Sequence, residues 1–279
     1  MRIVEVVLLA GSLVLWVCYL RGLVRFRRHA QGRRAQRGRP WALATAVAVL
    51  VLVAGSPLGE LLEERLWTHM LQHVVLIMVC GPLLAWSSPG RVLLAGLPAG
   101  VRRPVVKVAH HLPSGLLLAA PLAWLLHIGS MWAWHLPAAY DLAVRNELVH
   151  LSEHATFLLT AWWFWWHLLG DSPRRLTGLQ AVLYLVVAVP PGAALGAVLT
   201  FPQHPIYPAQ AAAARAVGLD PMLDQHLGAL VMWAPMDFGY VLGAIVLFAS
   251  WLRGLDRDHP ARALFLDTTD VRPDLGRIR

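Results

Sequence analysis

The sequence predicts an all-α polytopic membrane helix bundle with about seven transmembrane helices, and three observations carry that prediction. Hydrophobic residues make up 57% of the 279 and charged residues only 14%, with a mean hydropathy of +0.55. A soluble domain of this size does not need so apolar a chain to bury one core. Apolar runs of roughly 20 residues, the length that crosses about 30 Å of hydrocarbon, recur along the whole chain. Basic residues gather in alternate connections between those runs.

The spans fall at about 3 to 20, 41 to 58, 67 to 88, 115 to 136, 148 to 169, 179 to 200 and 225 to 252. The first, "VEVVLLAGSLVLWVCYL", has the length of a secretory leader. Its charge follows rather than precedes it and no small-x-small cleavage site comes after, so it reads as an uncleaved helix. Span five ends in "AWWFWWHLL", an aromatic belt at the membrane interface. Span six contains "VAVPPGAALGAVL", where Pro190 and Pro191 free backbone carbonyls in mid-helix. Such groups are tolerated at membrane depth only against protein or a water-filled cavity, and a kink made for packing is the simpler reading. Gly192 and Gly196 let a neighbouring helix come close. Span seven is long enough to tilt or to begin outside the bilayer. No long polar insertion separates the spans, so residues 1–279 read as a single integral membrane domain with a cytoplasmic tail at 253–279.

The connections between spans one and two, three and four, and five and six, together with the tail after Trp251, hold 20 of the 24 basic residues. The positive-inside rule places these in the cytoplasm, with the N-terminus outside and the C-terminus cytoplasmic. The pI near 10.5 then reflects anionic inner-leaflet lipid as the expected neighbour and calls for no nucleic acid. Cys18 and Cys80 form no CxxC pair, which argues against a disulfide or a thiolate metal site.

Depth in the membrane gives the histidines a pattern. His69 and His73 open span three, His127 and His135 lie in the second half of span four, His150 and His154 open span five, and Asp224 with His226 opens span seven. All of them fall in the outer half of the bilayer or at its rim. Residues four apart share a helix face, about 5 to 6 Å between Cβ atoms, so two of these pairs each present two imidazoles in one direction. In span four the ladder is His127, Met131, His135.

Ionisable residues within spans are costly and are functional candidates by default. The plainer reading is a set of helix-to-helix hydrogen bonds, each worth about 0.6 to 2 kcal/mol. Three helices carrying imidazoles at one depth, with an acid beside them, favour a metal. Imidazole suits zinc, copper, iron and nickel, and thioether sulfur shifts the choice toward copper(I). Met70, Met131, Met222 and Met232 lie at that depth, although methionines in membrane helices mostly pack. The candidate ligands are therefore His69, His73, His127, His135, His150, His154 and Asp224, expected to converge on one pocket near the outer surface.

Three blocks, "HMLQHVVLIMVCGPLLAWSSP", "WHLPAAYDLAVRNELVHLSEHATFLLTAWWFWW" and "DQHLGALVMWAP", resemble the multi-span CtaG family of cytochrome c oxidase (caa-type) assembly factors, from about Trp67 to Pro235. The resemblance implies a multi-pass protein of the bacterial plasma membrane, needed to form active haem-copper oxidase. It implies oxidase subunits as partners and a part in helping copper reach the catalytic subunit. The family's motif histidines correspond to His69, His73, His135, His150 and His154 and its acid to Asp224; His127 is added by spacing alone. This chain departs from the pattern at His167, at Ala229 and at His226, and His226 ranks below the other outer-layer residues.

Other classes compete with this reading. Membrane di-iron desaturases use HxxxH boxes, but as a family they place them with HxxHH boxes on the cytoplasmic side. A bis-histidine haem carrier could take one imidazole from span three and one from span five. A scaffold could hold oxidase subunits and bind no metal. The expected order is assembly factor with copper, metal-free scaffold, haem or other transition-metal protein, and last an enzyme.

Overall fold

The computed structural model describes residues 3–27, 39–54, 65–111, 119–172 and 174–258. The basic run at 28–38, the end of span two, the start of span four and the tail from 259 lie outside those residues. Every regular element among the described residues is helical: α1 Ile3–Arg27, α2 Arg39–Ala54, α3 Leu66–Ser87, α4 Pro89–Gly96, α5 Ala99–His111, α6 Ala120–Trp134, α7 Pro137–Arg145, α8 Glu147–Leu169, α9 Gly178–Thr200, α10 Pro208–Ala216 and α11 Pro221–Asp258. Three of these, α3, α9 and α11, are each long and apolar enough to cross a membrane. The short helices α4, α5, α7 and α10 fill connections for which the sequence reading gave no structure.

Proline sets several of the boundaries. A residue before proline is pushed out of the helical region. Leu136 accordingly adopts φ −62°, ψ 133°, which ends α6 just short of His135 rather than at residue 136, and Pro137 opens α7. Ser88, before Pro89, takes the left-handed conformation at φ 43° and separates α3 from α4. Its hydroxyl donates to the Ala85 carbonyl at 3.2 Å and accepts the Asp171 N–H at 3.0 Å, which offsets the strain of that φ. In α9 the expected kink at Pro190 and Pro191 is a break, with a turn at residues 187–188 dividing Gly178–Val186 from Val189–Thr200.

Within α3, Leu76–Cys80 is a π-helical turn. The Gly81 N–H reaches back to the Leu76 carbonyl, and the next donor in that register is missing because residue 82 is proline. The carbonyl thus left over, that of Ile77, accepts the indole N–H of Trp165 at 3.2 Å. One tryptophan of the belt predicted on span five is therefore buried and supports the π turn instead of meeting the interface.

The largest buried cluster joins α3, α6, α8, α9 and α11, with Met70, Ile77, Phe157, Phe164, Leu185 and Met232 among its members. A smaller cluster of Tyr19, Leu23, Leu43 and Val92 joins α1, α2 and α4. In lipid, helices associate through close packing rather than through exclusion of water. Gly22 and Gly96 allow the closest approach: a Cβ on Gly22 would stand 1.8 Å from the Val92 carbonyl oxygen, and one on Gly96 would stand 1.7 Å from that of Cys18.

Two polar clasps fix the ends of the bundle. At one end the Arg39 guanidinium donates to both carboxylate oxygens of Asp171, at 2.6 and 2.8 Å, and Asp171 is tied in turn to Ser88. At the other, Gln225 bridges the chain after α9, accepting the Ile206 N–H at 2.7 Å and donating to the Leu199 carbonyl at 2.9 Å. Between the clasps, Leu125, Leu159, Leu183, Leu230 and Ile245 lie outward and exposed, the expected lipid-facing skin of such a bundle.

Candidate metal centre

Helical spacing builds the centre from two pairs. His69 and His73 lie one turn apart on α3 with ring centroids 4.4 Å apart, and His150 and His154 lie one turn apart on α8 at 4.1 Å. The helices bring the pairs face to face, with His69 5.1 Å from His150 and His73 5.2 Å from His154. His135, just past the end of α6, adds a fifth imidazole 6.1 Å from His73. His69, His73, His135 and His154 are buried and His150 is half-buried, which makes His150 the most accessible of the five.

The chamber also holds a carboxylate. Glu153, wholly buried, directs Oε2 to within 3.8 Å of His69 Nε2 and Oε1 to within 3.7 Å of His73 Nε2. Neither oxygen has a hydrogen-bond partner, nor do His69 Nε2, His154 Nε2 or either nitrogen of His73. A buried carboxylate without donors carries an uncompensated desolvation cost of several kcal/mol. A cation among these atoms removes that cost, so the donor set fits a metal ion. His69, His150 and His154 form one group whose ligand atoms lie within 4.8 Å of one another, and His69, His73 and Glu153 form another.

His135 is oriented by its own helix. Its Nδ1 lies 2.7 Å from the Met131 carbonyl, which can only accept, so this nitrogen carries the proton and the neutral ring has a bare Nε2. That Nε2 stands 3.4 Å from the Met70 sulfur. Two lone-pair donors face each other there without a proton between them, the spacing of two ligands on one soft ion. Above them, Tyr207 donates its hydroxyl to the His135 carbonyl at 2.9 Å and stacks on Tyr140, whose ring meets His69 at 5.4 Å.

Five of the seven residues singled out in the sequence meet in this chamber, and two do not. His127 lies eight residues before His135, about 12 Å along the helix. Its Nε2 is 2.8 Å from the Tyr240 hydroxyl and its ring packs on Phe164, so it ties α6 to α11 in the apolar core. Asp224 caps α3: its carboxylate accepts the N–H groups of Leu66 at 3.0 Å and Trp67 at 3.3 Å, satisfying donors that have no intrahelical partner. The single pocket expected of all seven is corrected on these two points. Of the methionines, Met70 faces His135, Met131 contributes its carbonyl, Met232 is in the core and Met222 is half-buried. His226 and His204 are exposed and His167 is buried.

Glu153 was not anticipated, yet a signal for it exists. His150, Glu153 and His154 follow i, i+3, i+4 spacing and so share one helix face. The HxxEH spacing is one that metallopeptidases also use, with the two imidazoles on an ion and the glutamate beside it as general base. Another buried acid, Asp237, stands against Gly192 at the break in α9 and has no hydrogen-bond partner on either oxygen.

Fold and site together define a helical membrane protein that gathers five imidazoles and one buried carboxylate among its helices. The chain belongs to the family of cytochrome c oxidase caa3 assembly factors (Caa3_CtaG), whose family model matches residues 17–254. An uncharacterized protein of Mycobacterium leprae is 28% identical over 281 residues, covering 96% of this chain and 42% of that protein. Uncharacterized proteins of Mycobacterium bovis and Mycobacterium tuberculosis are each 26% identical over 258 residues, covering 88% of this chain and 38% of theirs. The chain thus spans about two-fifths of the length of these curated relatives. No solved structure matches it significantly.

Proposed function

We propose that the chain binds copper as cargo in the imidazole–carboxylate chamber and passes it to a haem-copper cytochrome c oxidase during assembly. Membership in the caa3 assembly family supplies the oxidase. The observation that carries the metal is the meeting of five imidazoles and the unpartnered Glu153 carboxylate from three helices. Met70 beside His135 favours copper among the metals that imidazole accepts. Direct ring contact between the histidines of α3 and α8 leaves no gap for a porphyrin plane, which favours an ion over haem.

In this reading the chain crosses a bacterial plasma membrane seven times as one domain, surrounded by lipid, with its N-terminus outside. The chamber then opens outward past the half-buried His150, and copper arrives from the extracytoplasmic side. The site carries and orients an ion and performs no catalysis of its own. Replacing His69 and His73 together with alanine in the host is expected to leave the protein in the membrane at normal levels while oxidase activity falls, with partial recovery on added copper. Full oxidase activity in the double variant would overturn the assignment.

A further inference from the structure

We propose that the chamber holds two cuprous ions side by side, bridged by the carboxylate of Glu153. This rests on the copper-binding reading above and adds the number of ions, their oxidation state and the division of the donors.

The geometry of Glu153 is the starting point. Its two oxygens do not share one partner: Oε2 addresses His69 Nε2 at 3.8 Å and Oε1 addresses His73 Nε2 at 3.7 Å. Two donors on one ion at about 2.0–2.2 Å stand roughly 3.3–4.3 Å apart as the angle between them opens from tetrahedral toward linear. Each oxygen–nitrogen pair therefore spans one ion, and the carboxylate joins the two positions.

His69 belongs to both groups of candidate ligands, and the remaining donors extend the two positions. His150 and His154 group with His69 and complete a set of three imidazoles and Oε2. His135 and Met70, whose Nε2 and sulfur lie 3.4 Å apart, stand beside His73 and complete a set of two imidazoles, a thioether and Oε1. A single ion with four ligands would use four of these seven side chains, and two ions use them all.

Charge selects the oxidation state. Glu153 is the one carboxylate among these donors, so two monovalent ions leave a net single positive charge where two divalent ions would leave three. Charge in excess of its partner is costly inside a bilayer, and the thioether also prefers copper(I).

Metal stoichiometry of the purified full chain in detergent tests this, using copper(I) buffered by a chromophoric chelator, and zinc in parallel. The expected result is two copper ions per chain and one zinc ion. Met70→Leu with His135→Ala is expected to retain one copper whose X-ray absorption has lost its sulfur scatterer. His150→Ala with His154→Ala is expected to retain one copper with sulfur still present. Glu153→Gln, close to isosteric and so least prone to misfolding, is expected to weaken both ions at least tenfold. One copper per wild-type chain overturns the proposal and leaves the copper reading standing; no copper overturns the copper reading itself. Two zinc ions would overturn the charge argument, and a Glu153→Gln chain that holds either ion at full affinity would overturn the bridge.

Discussion

The Asp224 carboxylate accepts the backbone N–H of Leu66 at 3.0 Å, so the first turn of α3 is capped by a side chain 158 positions away. That turn carries His69 and, one turn on, His73. The acid expected as a metal ligand thus acts one step removed, by holding the end of the helix that presents two imidazoles.

Asp224→Ala should cost about 1 kcal/mol or more of stability, at the level of losing a helix cap. Because the cap joins α11 to α3, metal affinity should fall along with it, and Asp224→Asn, which keeps one acceptor, should recover most of both. Thermal unfolding in detergent together with metal titration would check the pair. Weaker metal binding with no change in stability would instead make Asp224 a ligand.

His127→Phe should lower stability by about 1–3 kcal/mol, since it leaves the buried Tyr240 hydroxyl without its partner. Metal stoichiometry should stay as in the wild type, because the ring lies outside the chamber. Loss of an ion in this variant, measured on folded protein, would return His127 to the site.

Gly22→Ala and Gly96→Ala should each loosen α1 from α4, because the new methyl meets backbone oxygen at 1.8 and 1.7 Å and backbone cannot swing aside. Gly129→Ala, with nothing within 4 Å, is the control and should be neutral or slightly stabilising, alanine being the better helix former. Crosslinking between cysteines placed on α1 and α4 would report the separation, and equal yields in all three variants would contradict it.

A reporter fused after Arg34 should read as cytoplasmic and one inserted near Ala211 as extracytoplasmic, following the distribution of basic residues. The reverse pattern would place the chamber on the cytoplasmic side and remove the proposed route for copper.

The helical architecture was legible because apolar run length and period are local properties, readable without tertiary contacts. The pairs His69/His73 and His150/His154 were legible for the same reason, since four residues on a helix make one face. The partition of the other polar residues was not, because it depends on how helices rotate against one another. Asp224 turns to the end of α3, and His127, about 12 Å along the helix from His135, meets Tyr240. Glu153 shares a helix face with His150 and His154, but its burial is a property of packing that no local spacing encodes. Only the crossing of α3 over α8 buries it between His69 and His73.

X-ray absorption on the purified chain loaded with one equivalent of copper(I) tests the central claim most directly. The account predicts nitrogen and oxygen scatterers at about 2.0–2.1 Å with imidazole outer-shell scattering, together with sulfur from the ion beside Met70, and an imidazole signal that falls when His69 and His73 are both alanine. Copper that stays in solution, or a wild-type spectrum left unchanged by removing both histidines, would contradict it.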